Sequence, residues 1–173
     1  MEYTFTLKYQ LAEHDCAHTE LVERLGAAGC DDALVGIGQP GRIALEFTRE
    51  ADSADAALHS ALADVRSAIP SAKLIEATPD LVGLTDVAEM IGVSRQNMRK
   101  LMLTHALNFP APVHEGSAAL WHLADILAWL QARGSYVLNA NLLDMARAAL
   151  LVNLAKESQR LSSSAAQALK ALV

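Results

Sequence analysis

Apolar and polar residues alternate from the first positions of the chain. Tyr3, Phe5, Leu7, Tyr9 and Leu11 fall on one face, and Thr4, Thr6, Lys8 and Gln10 fall on the other. A period of two predicts a strand with one buried side. The period then changes. Thr19 to Ala28 carries Leu21, Val22 and Leu25 at helical spacing, and Gly29 stops it. Asp32 to Ile37 is an apolar run, and Arg42 to Thr48 sets Ile43, Leu45 and Phe47 on one face, which predicts two further strands. Ser53 to Ile69 reads as a helix with Leu58, Leu62, Val65 and Ile69 on one side, ended by Pro70, and Ala72 to Ala77 reads as a last short strand. The order β-α-β-β-α-β predicts an α+β unit over residues 1–79 with a ferredoxin-like layout: four antiparallel strands and two helices on one face. Such units serve in assembly and in small-molecule sensing, and no residue motif here selects a ligand.

Between Leu84 and Met102 the pattern becomes two short helices around a tight turn. Val87, Ala88 and Ile91 form the inward stripe of the first, and Thr85 is a candidate cap. Gly92 follows, where the chain needs a positive φ to leave the helix. Ser94 is placed to cap the second helix, whose inward stripe is Met98, Leu101 and Met102. Ala88 is small where the helices must approach closely. This is the pattern of a helix-turn-helix. Its second helix turns Arg95, Gln96, Asn97, Arg99 and Lys100 outward. Those side chains match guanine, adenine and phosphate edges in a major groove. Two-helix corners also occur in proteins that never touch DNA, and the absence of any acidic residue from this face tips the reading toward DNA.

Phe109-Pro110-Ala111-Pro112-Val113 cannot be helical, because two prolines interrupt it. Val113 and Leu120-Trp121 flank a Gly116-Ser117 turn and predict a small hairpin. Leu123 to Gln131 then reads as a helix with Leu123, Ile126, Leu127 and Leu130 inward. Trp121 and Trp129 are expected to hold this small unit together. Phe-Pro-Ala-Pro-Val, followed by Leu-Trp-His-Leu-Ala-Asp-Ile-Leu-Ala-Trp-Leu, resembles the AlpA-like and excisionase-like regulators and, more distantly, MerR-type heads. The resemblance covers about 50 residues. It implies a winged helix-turn-helix over residues 80–134, with the second helix in the major groove and the wing on the DNA backbone or minor groove. The wing departs from that family in one respect. His114-Glu115-Gly116-Ser117-Ala118 holds no Arg or Lys, so wing contact falls to His114, Ser117 and backbone N–H groups.

From Leu142 to Leu161 apolar residues occupy more than half the helical circumference, after a candidate cap at Asn141. Such a helix needs burial on two sides, against another subunit or against the N-terminal sheet. Residues 135–173 therefore read as a helical tail suited to oligomerisation, with a last helix between Ser162 and Val173. Asp144 and Arg147 interrupt the run and argue against a membrane span.

Charge sharpens this division. Net charge is −6, with a balance of −7 over residues 1–79, −1 over 80–134 and +2 over 135–173. The acid lies before the helix-turn-helix, and three of the four bases of the middle segment sit on its second helix. Local field, more than total charge, decides nucleic-acid contact. The basic surface is still weak, which predicts modest affinity per subunit and help from dimerisation. With two cysteines, no disulfide framework is implied; the chain opens on a strand rather than a leader, so a reducing cytoplasm is expected.

Two other motifs carry little. Gly36-Ile37-Gly38-Gln39-Pro40-Gly41 fits G-x-G-x-x-G, but a strand rather than a helix follows, so it reads as a hairpin tip. His14, Cys16, His18, Cys30 and Asp31 are ligand types without the spacing of a common zinc module. Asp31-Asp32, Asp52 and Asp55 read as turn and helix-cap carboxylates. No nucleophile, base and orienting group share a neighbourhood, so no enzyme, cofactor or metal is expected. The expectation is a homodimeric, sequence-specific reader of double-stranded DNA that regulates transcription. Its expected contacts are Arg95, Gln96, Asn97 and Arg99 on bases, Ser94 and Lys100 on phosphates, and His114 and Ser117 from the wing. The N-terminal unit leaves room for a small-molecule effector. The rival is a protein-interaction adaptor or antitoxin-like partner whose helix-turn-helix reads no DNA.

Overall fold

The alternation at the start of the chain becomes the central strand of a four-stranded antiparallel sheet. The structure is a computed structural model, and it describes residues 1–15 and 17–173. β1 (Glu2–Gln10) pairs with β3 (Arg42–Glu50) along its whole length, and with β4 (Lys73–Thr78) on its other side. β2 (Ala33–Gly36) pairs outside β3, giving the order β2-β3-β1-β4. Tyr3, Phe5, Leu7 and Tyr9 face a core with Ile43, Leu45 and Phe47, as the period of two requires. Phe5 and Phe47, opposite each other in the register, stack with centroids 5.2 Å apart.

Two helices supply the other side of that core. α1 (His18–Ala27) buries Leu21 and Leu25. It ends before Gly29, whose φ of 100° suits glycine alone. α2 (Ala54–Ala68) starts on Ser53, whose hydroxyl accepts the Ala56 N–H, and buries Leu58, Ala61 and Val65. Two arginines here are tied down. All five guanidinium N–H groups of Arg49 are used: on both carboxylate oxygens of Asp32, on Asp64, on Ser60 and on the Gly29 carbonyl. Arg24 donates to Asp15 and to the Ala68 carbonyl.

The second half begins at a packed corner. Pro79-Asp80 leads into β5 (Leu81–Val82), which pairs with β6 (Trp121–His122). Between them lie α3 (Leu84–Met90) and α4 (Arg95–Thr104), and after them α5 (Leu123–Arg133). A second core joins Val82, Val87, Ala88, Met98, Leu123, Ile126, Leu127 and Leu130. Phe109 meets Trp121 and Trp129 edge-on, and the Trp121 indole N–H donates to the Pro110 carbonyl.

α6 (Ala140–Ser158) joins the two cores. Met145, Ala148 and Ala149 enter the core of the sheet, while Leu143 and Ala146 enter the second one. Its dense apolar surface thus has two burial sites within one chain. Asn153 fixes the junction: its amide exchanges hydrogen bonds with the backbone of Ala77 and donates to Asp80 at 2.7 Å. Asp80, only 2% exposed, also accepts from His122 Nδ1 at 2.6 Å, and its carbonyl takes the Leu123 N–H. α7 (Ser163–Lys170) follows and buries none of its residues. Among the described residues no helix is long and apolar enough to cross a membrane.

Several sequence-based expectations need correction. α3 is capped from Gly83, whose N–H donates to the Asp86 carboxylate at 2.7 Å, and Thr85 lies inside the helix. α6 is capped by Asn139, which accepts the Asn141 N–H at 2.9 Å, and Asn141 lies in its first turn. The predicted hairpin shrinks to one bridge between His114 and Leu120, because Trp121 pairs with Val82 instead.

Candidate nucleic-acid interface

The turn between α3 and α4 is built as its sequence requires. Gly92 adopts a φ of 73°, and the Val93 N–H closes on the Ala88 carbonyl at 2.9 Å. Ser94 caps α4 by accepting the Asn97 N–H at 3.1 Å. Met98 anchors α4 from below with no exposed surface, and Leu101 and Met102 are half-buried beside it. A helix pinned on one stripe must turn the opposite stripe to solvent.

That outer stripe is the one the sequence singles out. Ser94, Arg95, Gln96, Asn97, Arg99 and Lys100 are all exposed. Among the described residues, the charged ends of Arg95, Arg99 and Lys100 meet no carboxylate within ion-pair distance. Three unpaired cations within six positions, beside two side-chain amides, can donate to phosphate oxygens and to the acceptor edges of bases. Glu89 and Glu115 are also exposed in this half of the molecule, and they limit its positive field.

The loop after His114 offers less. His114 and Ser117 are exposed, as a contact role needs. The His114 ring folds over Gly116, where an added Cβ would meet Nε2 at 2.6 Å. No Lys or Arg lies between His105 and Arg133, and Arg133 is engaged, with its guanidinium 4.8 Å from the Trp129 ring centre and 3.0 Å from His105 Nε2. Between β5 and α5, among the described residues, the unpaired cations are therefore those of α4.

The other sequence motifs fall elsewhere. Gly36 ends β2 and Arg42 opens β3, so the glycine-rich run is the hairpin connection between them. Cys30 is buried, and burial, with Asp64 nearby, pushes its thiol up to about 11, which keeps it neutral and a poor metal ligand. Cys16 lies outside the described residues. His14 leans on Asp15 at 3.5 Å, and among the described residues no three ligand-type side chains converge. Sequence reasoning missed the Asp80–His122–Asn153 junction and the apolar exit of α4, where Leu103 ends the outward face and Leu107 follows in the turn beyond it. Leu103 was readable, because it lies four positions after Arg99 on the same helix.

No protein-family profile, curated protein or solved structure matches this chain.

Proposed function

We propose that the chain is a sequence-specific double-stranded DNA-binding protein, a transcriptional regulator of winged helix-turn-helix build acting as a cytoplasmic homodimer. One observation carries the reading: the exposed, unpaired cations and amides of Arg95, Gln96, Asn97, Arg99 and Lys100 on a helix anchored by buried Met98. α4 enters the major groove, with Arg95, Gln96, Asn97 and Arg99 on base edges and Ser94 and Lys100 on phosphates. His114 and Ser117 give the wing a weak backbone contact. The strand order β2-β3-β1-β4 supports a ferredoxin-like reading of residues 1–79, used for assembly or sensing. Mobility shift with random genomic fragments at two salt concentrations tests the proposal. A reader of DNA retains selected fragments and loses affinity as salt rises. No shift at either concentration refutes it.

A second reading has its own support. The loop after His114 carries Glu115 and no Lys or Arg, and it borders an apolar groove. These features suit a protein-interaction adaptor or antitoxin-like partner.

A further inference from the structure

The outward face of α4 changes character along its length. Arg95, Gln96, Arg99 and Lys100 fill its early turns, Leu103 follows in its last turn at 58% exposed, and Leu107, 98% exposed, lies in the turn just past its end. With Met102, Phe109, Pro112 and Trp121 they line a groove of about 550 Å³. Glu115 is the only charged residue among the described residues lining it. DNA is a poor cover for this groove, since phosphate repels Glu115 and gains nothing from leucine. An exposed apolar patch with a polar rim marks a docking site.

α7 has the complementary properties. Ser162 caps it by accepting the Ala165 N–H, yet none of its residues is buried, and nothing from Leu161 to Val173 joins either core. A helix of 8 residues is too short to hold its shape alone in water, where roughly 12–15 are needed. Leu161, Ala165, Leu169 and Leu172 recur every three or four positions, and Lys170 is the only charged side chain between 161 and 173. One chain thus presents an apolar groove with a negative residue and, apart from it, an apolar helix with a positive one.

We propose that α7 of one copy, with the turn that follows it, seats in the groove beside α4 of a second copy, with Leu169 and Leu172 in the groove and Lys170 against Glu115. Exchange is reciprocal, so one two-fold pair fills both grooves and covers both helices. This names the seam of the dimer and rests on the dimeric reading above. It leaves Arg95 to Lys100 free on both copies.

The test uses the full chain without DNA. Sedimentation equilibrium should give a dimer. Leu169→Asp should raise its dissociation constant more than tenfold. Glu115→Lys and Lys170→Glu should each raise it about tenfold, because every substitution strikes two seams. The double variant should return toward the parent value, a rescue that simple misfolding does not produce. Carboxylate-to-amine crosslinking of mixed ¹⁴N and ¹⁵N protein should join Glu115 of one isotope to Lys170 of the other. A monomer at every concentration, a dimer indifferent to these substitutions, or crosslinks within single chains only would each overturn the proposal. DNA binding could fail in its own assay with this seam intact, so the two outcomes stay separate.

Discussion

The packed surroundings of Arg24 and Arg49 and the outer stripe of α4 use arginine in opposite ways. In the sheet half, Arg49 is 10% exposed at its side chain and spends every N–H on Asp32, Asp64, Ser60 and Gly29. Arg24 is likewise fixed by Asp15 and the Ala68 carbonyl. In the other half, Arg95 and Arg99 are exposed and meet no acid. A guanidinium with all donors satisfied holds its own chain together. One with none satisfied contributes little to folding and keeps its binding capacity for something external. The contrast matters more than the negative total charge, because most of the acid lies in residues 1–79, where Asp15, Asp32 and Asp64 are already paired.

The largest effect that would sharpen this contrast is on stability. Arg49→Ala should cost about 3 kcal/mol in urea unfolding, because it leaves Asp32 and Asp64 facing each other without their cation. Their partial exposure keeps the figure at the low end. A loss under 1 kcal/mol would break the claim that the sheet half depends on its paired charges.

The junction between the halves comes next. Asn153→Ala strands the Ala77 N–H and carbonyl and one side of the Asp80 carboxylate, at a cost of about 1–3 kcal/mol. Hydrogen exchange should quicken first at Ala77 and across β5. Unchanged protection there would mean that the buried contacts of α6 alone hold the halves together.

A smaller effect is expected in acid. The Ser71 hydroxyl and the Arg24 guanidinium hold the Asp15 carboxyl below the usual carboxylate range. On acidification the unfolded chain therefore protonates this group first, and stability falls as pH drops toward the folded value. Asp15→Asn should flatten that part of the acid limb in pH-dependent melting, whereas an unaltered slope would remove Asp15 from the account.

Much of this arrangement was legible in particular residues. Tyr3 to Leu11 announced β1 by strict alternation, and Gly92, Ser94 and Met98 placed the turn between α3 and α4 and the cap and anchor of α4. α6 declared through its apolar circumference that it needed two burial sites. Which two it found was hidden, because contacts such as Asn153 with Ala77 span 76 positions and leave no local period. β5 was missed because two residues cannot show alternation. The caps slipped by two positions, since Gly83 with Asp86 competes with Thr85, and Asn139 competes with Asn141. The outward residues of α4 were readable because one buried stripe fixes the opposite one. Their lack of partners was not readable, since it depends on where every acid in the fold lies.

The most direct test measures folding and DNA affinity on the same variant. In Arg95→Ala/Gln96→Ala/Arg99→Ala, thermal unfolding should match the parent within about 0.5 kcal/mol. Fluorescence anisotropy on a selected DNA site should lose about 1–3 kcal/mol for each base-reading side chain removed, with a shallower dependence on salt. Undiminished affinity for that site, in a variant as stable as its parent, would contradict the account.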